Sequence, residues 1–196
     1  MFTGIIETMG RLKEIETNGS NISFWIESSL AKDLTVDQSV SHNGVCLTVE
    51  AVNNHVHKVT AIAETLEKTT MGNLKIENLI NLERGMLFNG RLDGHVVQGH
   101  VDTTATCSYL VEKDGSWEYS FAVDEKFGGL IIEKGSISLN GISLTIFNVT
   151  KNSFTVAIIP YTYEHTNIKQ LFKDSKVNIE FDMIGKYVNR SMQLKS

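Results

Sequence analysis

Residues 39–83 align with residues 136–180 without a gap, at an offset of 97, and about a third of the positions are identical. Self-similarity at a fixed period means one folding unit built twice, so the fold of either half constrains the other. The best-matched stretches are Ser39-Val40-Ser41-His42-Asn43-Gly44-Val45-Cys46-Leu47-Thr48-Val49 and Ser136-Ile137-Ser138-Leu139-Asn140-Gly141-Ile142-Ser143-Leu144-Thr145-Ile146. Further identities include Val52/Val149, Ile62/Ile159, Thr65/Thr162, Asn81/Asn178 and Glu83/Glu180. A shorter match, Gly4-Ile5-Ile6-Glu7-Thr8 against Gly99-His100-Val101-Asp102-Thr103, runs at an offset of 95. The seam falls between Arg84 and Gly94, where Gly85, Gly90 and Gly94 supply turn material. The chain is read as an N-terminal domain over 1–88, its copy over 89–183, and a tail over 184–196.

Each best-matched stretch is strand, Asn-Gly, strand, because Asn and Gly tolerate the left-handed backbone of a tight hairpin. Period-2 alternation then sorts the residues into faces. Val45, Leu47 and Val49 share one face and Cys46 and Thr48 the other; Ile142, Leu144 and Ile146 answer to the first, Ser143 and Thr145 to the second. The apolar face belongs to a core. The face of hydroxyls and a thiol, present twice, is either a ligand surface or a half-buried strand under a loop.

Strands are expected near 4–16, 22–27, 38–42, 44–52, 57–63 and 78–83, and again near 99–111, 117–123, 135–139, 141–149, 153–159 and 176–182. Six short strands in some 90 residues suit a closed barrel, which leaves no exposed edge. The fold class is therefore all-β: tandem duplicated six-stranded β-barrels with a short C-terminal helix. Residues 28–34 and 124–130 suit single helical turns. A helix is expected only after Asp182, at 184–194, where Ile184, Tyr187, Val188 and Met192 fall near helical spacing; a frayed tail is the alternative. Pro160 aligns with Ala63, and the paired strand ends Ala63-Glu64-Thr65 and Pro160-Tyr161-Thr162 offer free backbone groups that could read the edge of a flat heterocycle.

Composition excludes several functions. A net charge of −5 and an acidic pI of about 5.7 leave no basic footprint for nucleic acid. No apolar run approaches membrane-spanning length, and the first residues reach an acid too early for a signal peptide. Two cysteines, one of them matched by Ser143 in the repeat, fit reduced thiols and a cytoplasmic location. His95 and His100 are five positions apart, which places them on opposite sides of a strand unless Gly99 makes a bulge, and no HExxH or CxxC is present. No metal and no cofactor are expected.

Four runs carry a resemblance to a known family: Met1-Phe2-Thr3-Gly4-Ile5-Ile6-Glu7, His42 to Val49, Gly94-His95-Val96-Val97-Gln98-Gly99-His100-Val101-Asp102, and Lys134-Gly135-Ser136 leading to Gly141-Ile142-Ser143-Leu144-Thr145. In order and spacing, over residues 1 to about 188, the chain resembles riboflavin synthase of the α-chain type. The resemblance implies Greek-key barrels, each binding one lumazine. It implies a dismutation of two 6,7-dimethyl-8-ribityllumazine molecules to riboflavin and 5-amino-6-ribitylaminouracil, with passage of a four-carbon unit and without a cofactor. It implies a homotrimer, weak here because the C-terminal helix is short, with active sites between barrels of neighbouring subunits, and it raises lumazine synthase as a further partner.

Carried over by position, one pocket comprises Gly4, Ile5, Ile6, Cys46, Leu47, Thr48, Thr60, Ala61, Ile62, Ala63, Glu64 and Thr65. The other comprises Gly99, His100, Val101, Lys134, Ser143, Leu144, Thr145, Ala157, Ile158, Ile159, Pro160, Tyr161 and Thr162. Apart from Lys134 these sets are repeat partners. The chemistry needs a proton taken from the 7-methyl group and a nucleophile or water at C7 of the partner. His100, whose counterpart is Ile5, is the candidate base, against the plain reading of a strand histidine bonded to a carbonyl. Cys46 could assist at C7 or pack on the ring; Ser39 and Ser143 are further candidates. The second copy reads Asn140-Gly141 where the family pattern has Asp-Gly. The competing reading is a non-catalytic lumazine or flavin carrier of the fluorescent antenna type with the same fold.

Overall fold

The structure is a computed structural model and describes residues 1–194. Strands β1 (Thr8–Asn18), β2 (Asn21–Glu27), β3 (Ser39–His42), β4 (Val45–Asn53), β5 (Val56–Ala61) and β6 (Leu79–Arg84) close a barrel in the order β1-β2-β5-β4-β3-β6. Strands β7 (Thr103–Lys113), β8 (Ser116–Ala122), β9 (Ser136–Leu139), β10 (Ile142–Phe147), β11 (Ser153–Ile158) and β12 (Lys176–Phe181) close a second barrel with the same neighbours. β1 pairs with both β2 and β6, and β7 with both β8 and β12, so neither sheet ends in an unpaired strand. Asn43 and Asn140 take φ of 49° and 47°, and Gly44 and Gly141 take 81° and 82°, which is the left-handed pair that a two-residue hairpin demands.

The alternation read from the sequence sets the barrel interiors. Leu12, Phe24, Ile26, Val40, Leu47, Val49, Val59, Ile80 and Leu82 fill the first, each large side chain contributing about 1.5–3 kcal/mol by leaving water. The second is more aromatic, with Tyr119, Phe121, Phe154 and Phe181 buried, and the Phe121 and Phe154 rings 5.7 Å apart. The first barrel instead buries two histidines. His42 and His57 stand where the second has Leu139 and Phe154, and their Nε2 atoms are 2.8 Å apart. His42 Nδ1 donates to the Val40 carbonyl at 3.0 Å, so its Nε2 accepts from His57, whose own Nδ1 has no hydrogen-bond partner.

The barrels meet about a local twofold. A Cβ on Gly44 would lie 2.8 Å from the Gly141 nitrogen, and one on Gly141 2.9 Å from the Gly44 nitrogen, so the hairpin tips touch backbone to backbone. Asn81 Nδ2 donates to the Asn140 carbonyl at 3.0 Å, and Asn178 Nδ2 to the Asn43 carbonyl at 2.8 Å. Within each barrel Asn140 Oδ1 accepts from the Asn178 amide, as Asn43 Oδ1 does from Asn81, so at 140 the side-chain oxygen ties the hairpin to β12 while the backbone carbonyl serves the seam.

Two expectations are corrected. The first strand of each copy starts later than expected, at Thr8 and Thr103, because the residues before it leave the barrel and cross to its neighbour. The strand ends at 63 and 160 become helices, α1 (Ala63–Lys68) and α2 (Pro160–His165), so the C-terminal helix is not alone. Pro160 at the first helical turn suits a helix start, where its missing N–H costs nothing. The tail forms α3 (Met183–Gln193), capped by Asp182, which accepts from the Ile184 amide; Ile184, Tyr187, Val188 and Met192 are all exposed on it. Short 3-10 turns lie at Ala31–Asp33 and Glu125–Leu130, within the two segments expected to make single turns.

Candidate active site

The β4–β5 ladder runs from Asn53↔Val56 to Val49↔Val59 and stops; the β10–β11 ladder stops at the equivalent pair, Ile146↔Val156. Beyond that point the strands part, and backbone groups must find other partners. The crossing segments supply them. Cys46 on β4 donates its amide to the Gly99 carbonyl at 2.8 Å, and Ser143 on β10 donates to the Gly4 carbonyl at 2.8 Å. A Cβ on Gly99 would come within 2.5 Å of Cys46 Cβ, and one on Gly4 within 2.6 Å of Ser143 Cβ. Both glycines also hold a left-handed backbone, at φ of 80° and 77°.

This exchange regroups the residues. Gly4 and Ile6, placed by sequence order with Cys46, lie instead against the second barrel, Gly4 on Ser143 and Ile6 packed on that barrel's core, while Ile5 between them is exposed. Gly99, His100 and Val101, placed with Ser143, lie against the first barrel: Gly99 on Cys46, and Val101 packed on the first core. Sequence spacing could not reveal the crossing, because an offset aligns equivalent residues and is silent about which barrel each one touches.

Burial then sorts the strand residues. Cys46, Thr48, Thr60 and Ile62 face outward on the first barrel, and Ser143, Thr145, Ala157 and Ile159 on the second. Leu47, Ala61 and Ile158 point into the cores, so their side chains do not line an outer face. On the second barrel the outer face bounds a cavity of about 460 Å³ lined by Lys134, Ser143, Leu144, Thr145, Phe147, Ala157, Ile159 and Thr162. Lys134 holds φ of 62° and sets its Nζ 5.4 Å from the Phe147 ring centroid. Ala63, Glu64 and Thr65 open α1, and Pro160, Tyr161 and Thr162 open α2; neither helix has a side-chain cap at its N-terminus. Tyr161 is 70% exposed and stacks on His165. Ile5 and Ser39 line a separate cavity of about 570 Å³ with Thr3, Glu7 and Arg84, and Ser39 sits across from Thr48 in the β3–β4 ladder.

His95 is the site residue that sequence reasoning missed. It is buried, and its Nδ1 lies 2.7 Å from Ser143 Oγ, while its amide donates to the Thr3 carbonyl. Burial pushes its pKa down, and the Asp182 carboxylate opposes that. The strand alternation expected for His95 and His100 does not apply, because the segment that carries them precedes β7 and is not a strand. Among the described residues, no group of three or more His, Cys, Asp or Glu is placed to hold a metal ion, and no helix is long and apolar enough to cross a membrane.

A family model, the lumazine binding domain, matches residues 3–85 and again 98–182. The chain is 38% identical over 196 residues to riboflavin synthase of Actinobacillus pleuropneumoniae, covering 100% of this chain and 91% of that protein. It is 39% identical over 191 residues to riboflavin synthase of Bacillus subtilis, covering 97% and 89%. Among solved structures, LumP complexed with riboflavin superposes with a TM-score of 0.86 at 23% identity, covering 92% of this chain and 99% of that one. LumP complexed with 6,7-dimethyl-8-(1'-D-ribityl) lumazine does so at 0.83 and 23%, covering 92% and 98%. At that identity the LumP likeness speaks for the fold.

Proposed function

Because the chain belongs to the lumazine-binding domain family, we propose that it is a riboflavin synthase, converting two molecules of 6,7-dimethyl-8-ribityllumazine into riboflavin and 5-amino-6-ribitylaminouracil. The observation that carries this reading is the doubled outer face. Each barrel offers hydroxyls, or a thiol and a hydroxyl, beside uncapped helix amides and a crossing glycine segment, which suits a reaction whose two substrates are the same molecule.

The roles follow from where the copies differ. His100 stands beside the Cys46 face, where the other copy has Ile5, and takes the proton from the 7-methyl group of the lumazine held there. Cys46 stands where the other copy has Ser143 and serves C7 of the ring. Ser143, held by His95, orders the reacting edge of the second lumazine, and Lys134 holds that ring or its ribityl chain from the cavity rim. Ser39 adds a hydroxyl beside Thr48. The remaining pocket residues hold the rings in place, and the alignment they impose accounts for much of the rate by removing the entropy of encounter.

The reacting atoms must approach within about 3–3.5 Å. Within one chain, a hydrogen-bonded ribbon of residues 2–5 and 94–99 stands between the Cys46 and Ser143 faces. Catalysis therefore joins the first barrel of one subunit to the second barrel of another, in a homotrimer gathered by the apolar stripe of α3. A cytoplasmic location, and association with the lumazine synthase that supplies the substrate, belong to the same proposal. The carrier alternative has fold likeness on its side, whereas the enzyme reading has near-full-length relatives.

The test is incubation with the lumazine alone, followed by flavin absorbance and fluorescence. Riboflavin should form without added metal or nucleotide and survive a chelator. Tight binding with no turnover would favour the carrier.

A further inference from the structure

We propose that Glu180 and Glu83 are positioning residues that act across the barrel boundary, each setting the geometry of the ligand face on the other barrel. The inference rests on the lumazine-binding reading of those faces and goes beyond it, because neither carboxylate lies on the face it controls.

Glu180 is on β12 of the second barrel and is almost fully buried. Its Oε1 accepts from the Gln98 amide at 2.6 Å, and its Oε2 from the amides of Gly99 at 2.8 Å and His100 at 2.9 Å. Three consecutive amides on one carboxylate fix the backbone of that segment, and the segment then places the Gly99 carbonyl on Cys46 and His100 beside it. Glu83, its repeat partner on β6, does the same for the other face. Its Oε1 accepts from the Thr3 amide and hydroxyl at 2.6 and 2.7 Å, and its Oε2 from the Gly4 amide at 3.0 Å, which sets the Gly4 carbonyl on Ser143. Burial pushes both carboxyls up, and the donated hydrogen bonds pull them back.

Only a carboxylate has acceptors at both ends of this clamp. Gln is its isostere, but the carboxamide NH2 would face a backbone N–H at one end, so the segment must move. Glu180→Gln therefore loosens the Cys46 face, and Glu83→Gln the Ser143 face. A structural role alone would weaken both faces through general instability.

The experiment follows thiol alkylation in the full-length protein, with riboflavin as the protecting ligand. Cys46 is half-buried and Cys107 fully buried, so iodoacetamide reports on the first face. In the Cys46→Ser/Ser143→Cys background the thiol reports on the second. Glu180→Gln should require about tenfold more riboflavin to protect Cys46 and leave protection of the thiol at 143 unchanged, roughly the effect of losing one charge-assisted hydrogen bond. Glu83→Gln should do the reverse. Glu180→Asp, which keeps the charge and shortens the reach, should move in the same direction as Glu180→Gln and provides the test if the glutamine variant does not fold. Equal protection in the Glu180 variants and wild type, or loss at both faces from either variant, overturns the inference. Absence of protection in the wild-type protein overturns the functional reading, and the inference with it.

Discussion

Phe2 and Val97 occupy the same position in the two copies and exchange both backbone hydrogen bonds, at 2.7 and 3.0 Å. The local twofold passes between them, and the Phe2 ring is fully buried against Gly99. Phe2→Ala should destabilise the protein by about 3–5 kcal/mol, as expected for an aromatic truncated in a packed site. Denaturant melts measure that loss. Riboflavin titration should show weaker binding as well, because the ring props the segment that lies on Cys46.

His100→Gln should slow turnover by about 10²–10⁴-fold, the range for removing a general base, with the thermal midpoint preserved because the side chain is exposed. Cys46→Ser should cost less, since it installs the residue that the second copy uses, and should keep ligand binding. Steady-state rates and riboflavin titrations check both. Wild-type rates would remove these two residues from the chemistry.

The first barrel should be more acid-labile than the second. Burial holds His57 at a pKa of about 4, and His42 well below its ordinary 6.5, with the neighbouring imidazole adding to the effect. In the unfolded chain both take up protons near pH 6.5, while the folded barrel keeps them neutral. The unfolded state therefore binds more protons as pH falls, and each histidine lowers stability by about 1.4 kcal/mol per pH unit below 6.5, until its own folded pKa is reached. For His57 that window closes near pH 4. The double variant His42→Leu/His57→Phe copies the second barrel and should lessen the dependence between pH 6.5 and 4, leaving the smaller contribution of buried His95. Urea melts across that range measure the slope.

Specific activity should fall on dilution. The α3 stripe spans one short helix, and association must overcome lost translational and rotational freedom, so the proposed trimer should be weak. Sedimentation alongside activity tests this. Full activity per chain where only monomer sediments would place both reacting rings within one subunit.

The barrels were legible because alternation and turn chemistry act locally: Val45, Leu47 and Val49 turn inward wherever β4 sits, and Asn43-Gly44 bends wherever it falls. The outer faces carrying Cys46, Thr48, Ser143 and Thr145 were legible for the same reason. Which crossing segment completes which face was not. That depends on Gly4 meeting Ser143 and Gly99 meeting Cys46, contacts between residues far apart in sequence whose equivalence hides their exchange. The helices at 63 and 160 were missed because six residues are too few to carry a 3.6 period. His95 lies outside both aligned stretches of the repeat, 99–103 and 136–180, so the repeat gave it no emphasis.

The ribbon through Phe2 and Val97 has the geometry of an isologous contact between two identical molecules. Each half extends its N-terminal arm over the other and receives an arm in return, as in a domain-swapped dimer whose partners have been fused end to end. The peptide joining residue 84 to residue 94 keeps the exchanged arms close, which raises their effective concentration, and its residues Gly85, Met86 and Leu87 also wall the cavity beside Ser39. Within one chain the two halves are free to differ. A thiol could settle on one side and a histidine-held hydroxyl on the other, which no dimer of identical chains could encode.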